Sequence, residues 1–245
     1  MLKYLSMFLC MNFLSADGLS DLKAALGRLD PGAAIKGTLE AQTQARHGKD
    51  GTDVSGRAAA WVEYGPKGLS MRWERPFLDQ LDREIRSRPK SEASNSQALG
   101  ALWAMELRRT YSMLDPASEL SRMLESATFL REEPGVTNGV SVRVLHFSVP
   151  QSGAPERYRR WIKDYKSTAQ IWIDGDGAPI SSAQKIQIKG RAFLVISFDQ
   201  TTAIKATYAV LGGRLVCLRH EEAQEGGGGG EFASSRTVRT FRPAS

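Results

Sequence analysis

The chain has 245 residues, 41% hydrophobic and 24% charged, which excludes a disordered polypeptide and leaves room for one large β-rich domain or two small ones. Its 33 basic and 27 acidic residues give a net charge of +6, which favours anionic partners such as phospholipid headgroups, acidic proteins or nucleic acid without choosing among them.

The first sixteen residues, MLKYLSMFLCMNFLSA, hold one lysine, an apolar run from Leu5 to Leu14 and then Ser15-Ala16. That is the layout of a secretory signal peptide, too short for a permanent membrane anchor. Cys10 follows bulky Phe8 and Leu9, which argues against lipidation. After cleavage at Ala16 only Cys217 remains, so no internal disulfide can form. The expected protein is exported, periplasmic and soluble.

Leu22, Ala25, Leu26 and Leu29 fall at helical spacing in SDLKAALGRLDPG (20–32), with Ser20 as the expected N-cap and Pro31-Gly32 as the stop. AIKGTLEAQTQ (34–44) alternates, with Ile35, Leu39 and Ala41 on one face. Residues 56–76 read as a hairpin turning at Gly65-Pro66-Lys67-Gly68, and Leu69, Met71 and Trp73 share one face of its second strand.

Residues 77–100 predict a short helix entering a polar, mobile loop. Helices are expected over 97–114 and 116–130, the second with Asp115 as N-cap and Pro116 in its first turn. Their apolar sides gather Leu102, Met105, Met113, Leu120, Met123, Leu124 and Phe129. From Val140 onward the candidate strands are 140–149, 168–174, 179–189, 191–199, 202–210, 214–221 and 232–241. Asp199-Gln200 is read as a turn and the glycine run 226–230 as a flexible loop. The expected fold is α+β: about ten mostly antiparallel strands in one curved sheet, with 77–131 inserted as polar loop and helical lid, in a single domain over 17–245.

Catalytic signals are sparse. The three histidines, His47, His146 and His220, are scattered, and no HExxH, CxxC or GxSxG motif occurs. DGDG (174–177) carries only the first ligands of a calcium loop and reads as a hairpin turn. We therefore expect no metal, no cofactor and no catalysis. ERYRRWIKDYK (156–166) places Tyr158, Trp161, Ile162 and Tyr165 at helical spacing among Arg157, Arg159, Arg160, Lys163 and Lys166. Arg157, Arg159, Arg160, Trp161 and Lys163 form a candidate membrane or partner surface, weighed against an ordinary packed stripe with solvated arginines. Export argues against nucleic acid.

Over residues 20–76 the sequence resembles the periplasmic outer-membrane lipoprotein carriers, the LolA-like family. The resemblance rests on Leu22, Gln42-Thr43, Gly56, Trp61-Val62, Arg72-Trp73 and Pro76. It implies an unclosed β-barrel lidded by helices, whose apolar concavity receives lipid or lipoprotein acyl chains. On that view Ile35, Leu39, Trp61, Leu69, Met71, Trp73, Met105, Met113, Met123 and Phe129 line the cavity, and methionines suit a variable hydrocarbon. It also implies inner- and outer-membrane lipoprotein-handling partners for a monomeric carrier. Tyr64 stands where these carriers usually have arginine, and their next segment is replaced by 77–100. A protein-interaction or lipoprotein-sensing module using the same sheet is the alternative, and an exported hydrolase a distant third. N-terminal sequencing of exported protein should begin at Asp17; an intact Met1 on soluble protein overturns the leader.

Overall fold

The computed structural model describes residues 17–48, 51, 53–87, 97–137, 139–151, 159, 161–192, 196–229 and 231–244. The expected leader, residues 1–16, and most of the segment expected to be mobile, 88–96, lie outside them.

Helix α1 (Gly18–Arg28) starts at Asp17, whose carboxylate accepts from the Leu19 N–H at 3.1 Å. The cap is thus three residues earlier than Ser20. Asp21 in the first turn and Arg28 in the last complement the helix dipole. Strands β1 (Ile35–His47), β2 (Val54–Gly65) and β3 (Gly68–Trp73) follow as an antiparallel meander. Four helices come next: α2 (Arg75–Arg86), α3 (Gln97–Ala104), α4 (Leu107–Leu114) and α5 (Pro116–Ser126). Asp115 caps α5 as expected, accepting from Ser118.

Seven strands complete the chain: β4 (Thr128–Thr137), β5 (Val140–Ser148), β6 (Ile162–Ile173), β7 (Pro179–Ala192), β8 (Ile196–Leu211), β9 (Arg214–Gly228) and β10 (Glu231–Pro243). The sheet order is β3-β2-β1-β10-β9-β8-β7-β6-β5-β4. β10 returns beside β1 with Leu39 opposite Phe241, while β3 and β4 remain as free ends. The fold is α+β, an unclosed antiparallel half-barrel with its helices on the concave side.

Two cores share that concavity. In the first, Leu39 and Ala41 of β1, Ala58, Ala60 and Val62 of β2 and Phe241 of β10 pack under Ala101, Ala104, Met105, Met113 and Leu114. Alanines on both sides let α3 approach the sheet closely, and Gly56 meets the Gln97 carbonyl where a Cβ would clash. In the second, Leu22 and Leu26 of α1 and Leu120 and Leu124 of α5 cover Leu145, Phe147, Ile171 and Ile173.

Several elements differ from the sequence reading. The helix expected over 97–114 breaks at Met105-Glu106, and the Ala104 carbonyl at the end of α3 accepts from the Arg239 guanidinium at 2.6 Å. Residues 128–130 belong to β4 rather than to a helix. β6 begins at Ile162, so Ile162 and Tyr165 lie in a strand and not on the helical stripe expected over 156–166. Strand β8 runs straight through Asp199-Gln200, which pair with Lys189 and Ile188 on one side and Gly227 and Gly226 on the other. The described glycines of the 226–230 run are sheet as well: Gly226, Gly227 and Gly228 pair with both β8 and β10. A Cβ on Gly226 would collide with the Asp199 carbonyl, and one on Gly227 would sit 2.6 Å from the Glu231 carbonyl.

Gly226→Ala should therefore cost about 1–3 kcal/mol, the range for overfilling a packed site. Gly175→Ala, with open space around its Cβ, should stay within about 0.5 kcal/mol. Thermal melts of the two variants check this; equal stability would mean that the glycine strand is not closely approached.

Candidate ligand cleft and its buried arginines

Helix α5 rests on β9 and α1, and its Leu120 and Leu124 share a core with β5 and β6. Towards β7 and β8 a cleft of about 150 Å³ remains beneath it. Leu120 and Met123 of α5 form its roof, Ile171 of β6 and Ile204 and Ala206 of β8 its apolar floor, and Ser182, Gln184, Tyr208 and His220 its polar side. The Tyr208 and Ser182 hydroxyls bond to each other at 2.7 Å, and Gln184 donates to the Ser167 hydroxyl at 3.0 Å. Burial raises the Tyr208 phenol and pushes the Cys217 thiol up to about 12, so neither is a nucleophile at neutral pH.

His220 borders the cleft and a chain of charges. Its Nδ1 accepts from Arg239 Nη1 at 3.1 Å, so the ring carries its proton on Nε2. The Glu222 carboxylate lies 3.7 Å from Arg239 and 2.8 Å from Arg109 of α4. Burial, and then the Arg239 charge, push His220 down to about 4. Arg239 is 2% exposed, and its Nε holds the terminal carbonyl of α3.

Arg214, 1% exposed, does the same for α4: Nε donates to the Leu114 carbonyl at 2.7 Å and Nη1 to the Ala33 carbonyl. Its guanidinium lies 4.2 Å over the ring of Tyr64, which meets Tyr111 edge-on at 5.3 Å. Nη2 has no partner among the described residues.

The residues expected to line one cavity are spread over the molecule. Leu39, Met105 and Met113 are fully packed in the first core, with Ile35, Leu69, Met71 and Trp73 at its margin. Trp73 stacks on Phe77 at 5.0 Å. Trp61 alternates with buried Ala60 and Val62, so it faces the convex side, where its indole N–H donates to Glu63 at 2.7 Å. Phe129 meets Phe147 edge-on at 5.7 Å in the second core. Met123 alone of the ten lines the cleft. Of the expected membrane surface, Arg157 and Arg160 lie outside the described residues. Arg159 and Lys163 are exposed, and Trp161 is half-buried in the turn before β6.

Leu120, expected on the apolar side of its helix, and His220 also border the cleft, but the β7 and β8 residues were not singled out from the sequence, although Thr202, Ile204, Ala206 and Tyr208 alternate visibly along β8. His146 lies on the convex side with Glu133 at 2.9 Å and Gln170 at 3.3 Å on its two nitrogens. Among the described residues, no three His, Cys, Asp or Glu side chains are grouped to hold a metal ion. No described helix is long and apolar enough to cross a membrane.

No family model and no curated protein matches the sequence. One solved structure, described as the crystal structure of MucB in complex with MucA(peri), superimposes over 91% of this chain and 94% of that one. It does so at 9% identity and a TM-score of 0.24, too loose a likeness to carry an argument.

Depression of His220 means that the unfolded chain takes up a proton below pH 6.5 while the fold refuses it until about pH 4. Its contribution to stability is therefore complete above pH 6.5 and lost as the pH falls towards 4. His220→Gln should flatten the fall in denaturation midpoint over that window; an unchanged slope would place the effect elsewhere.

Proposed function

We propose that the protein is a non-catalytic binding protein whose cleft under α5 takes the apolar part of a ligand, an acyl chain of a lipid or lipoprotein. The observation that carries this reading is the gap between α5 and strands β6–β8, roofed by Leu120 and Met123 while the neighbouring α3 is packed tightly onto the same sheet. At about 150 Å³ the gap matches a cavity that admits a benzene-sized group, and it is below the roughly 300 Å³ where small-molecule pockets begin. A longer chain enters as α5 lifts, with Met123 adapting to its shape.

Burial of each methylene would contribute about 0.8 kcal/mol, before ordering and association costs are subtracted. The LolA-like resemblance of residues 20–76 supports the same reading, along with a periplasmic location and lipoprotein-handling proteins as partners. An inert thiol, a histidine acting as hydrogen-bond acceptor and a mutually bonded hydroxyl pair supply no nucleophile, which supports binding without turnover.

Binding of a fluorescent dodecanoate probe tests this. Met123→Trp should fill the gap and weaken binding at least tenfold with little change in melting temperature. Leu39→Phe, in the packed core, should instead cost about 1–3 kcal/mol and leave the folded fraction binding normally. A probe that fails to bind wild type, or a Met123→Trp variant that binds as well, overturns the reading.

A further inference from the structure

The two free edges of the sheet are built differently. β4 carries three features that obstruct an added strand: Pro134, which has no N–H, a bulge between Phe129 and Arg131, and the charged run Arg131-Glu132-Glu133. β3 has no proline and no bulge. It pairs in unbroken register with β2, from Gly65 opposite Gly68 to Ala60 opposite Trp73. Nothing among the described residues pairs with its outer side.

Antiparallel alternation turns the N–H and C=O of every second β3 residue outward. Leu69, Met71 and Trp73 lie half-buried along the concave side of this edge.

At the Gly68 end of β3 lies a groove of about 540 Å³. Ile35, Tyr64 and Leu69 form its apolar walls, and Lys36 and Lys67 stand on its rim. Both lysines are exposed and neither has an ion-pair partner among the described residues. The groove's one carboxylate, Glu63, is already held by Arg72 at 3.1 Å and the Trp61 indole at 2.7 Å. Behind Tyr64 sits Arg214, buried, bonded only to neutral carbonyls and with Nη2 unsatisfied. Buried positive charge behind an apolar wall projects a positive potential into the groove.

We propose that the β3 edge binds an extended peptide as an eleventh, antiparallel strand, and that the peptide's C-terminal carboxylate ends beside Lys67 at the mouth of this groove. The direction follows from the pairing: a strand antiparallel to β3 finishes beside Gly68, next to Lys67, while Lys36 and the buried Arg214 add positive potential from behind. The occupant follows from the chemistry, because a row of alternating backbone donors and acceptors at strand pitch is matched by another backbone and not by a hydrocarbon or a sugar. The site is separate from the cleft under α5, so either can fail without the other.

The probe is an acetylated peptide of two lysines followed by alternating threonine and valine, made once as the free acid and once as the C-terminal amide. The acid should bind at least tenfold more tightly than the amide. Lys67→Gln, in an exposed turn, should reduce that ratio below about threefold without shifting the melting temperature. Hydrogen exchange should slow at the β3 amides between Leu69 and Trp73 when the acid is bound. Equal binding of acid and amide, no binding of either at millimolar peptide, or protection at β4 instead of β3 overturns the proposal. So does displacement of the acid by dodecanoate without β3 protection, which would make the groove a fatty-acid site.

Discussion

Arg239 and Arg214 reach from neighbouring strands, β10 and β9, to the last carbonyls of α3 and α4, and the seating of both helices on the sheet depends on those bonds. A buried guanidinium is costly unless its donors are met. The last carbonyls of a helix are the groups that lack intrahelical partners and carry the negative end of its dipole. Each therefore offsets the other's desolvation. Truncating either arginine would leave a buried carbonyl unpaired, at about 1–3 kcal/mol apiece, and would free one helix end. The same bonds sit where the helix expected over 97–114 is interrupted, and they satisfy the carbonyl that the break leaves without an intrahelical partner.

Helix α5 has no such tie. It is held by its Asp115 cap and by Ala117, Leu120 and Leu124 packing against α1 and β5–β6, contacts that are apolar and non-directional. Sliding or lifting α5 exchanges some apolar contacts for others, whereas lifting α3 or α4 would strand a buried charge. The helices over β1, β2, β9 and β10 are thus tied by directed bonds, whereas α5 beside the cleft is held by its cap and by apolar packing. His220 sits on the border between the two: it lines the cleft and accepts from the arginine that fixes α3.

The first three strands and α1 were legible because one face of each is buried and the other wet, which writes alternation or helical spacing directly into residues such as Ile35, Leu39 and Ala41. The legibility failed where pairing, and not side-chain burial, makes the strand. β4 is an edge with a proline and a charged run. The 226–230 run has no side chains to alternate, and its described glycines are held by backbone pairing on both sides. Asp199-Gln200 has turn-like residues, but Lys189 opposite Asp199 gives that charge a place on a sheet face. The cleft was illegible for a related reason. Its floor comes from β6 to β9 and its roof from a helix some fifty residues earlier, so no local pattern joins them, and the apolar rows that were legible turned out to be the packed half of the concavity.

Why a gap should persist under α5 can be argued from the floor itself. Over β1 and β2 the inward row is Ala41, Ala58 and Ala60, apolar and short, and close approach of α3 is the only way to remove it from water. Over β7 and β8 the inward row includes Ser182, Gln184, Thr202 and Tyr208. Those groups are largely satisfied within the sheet, Tyr208 by Ser182 and Gln184 by Ser167, so covering them more tightly would bring little hydrophobic gain. A hydroxyl pair that bonds to itself uses one of its two O–H donors, and keeps the other donor and its spare lone pairs for a polar guest. The space beneath α5 is therefore specified by which residues face inward.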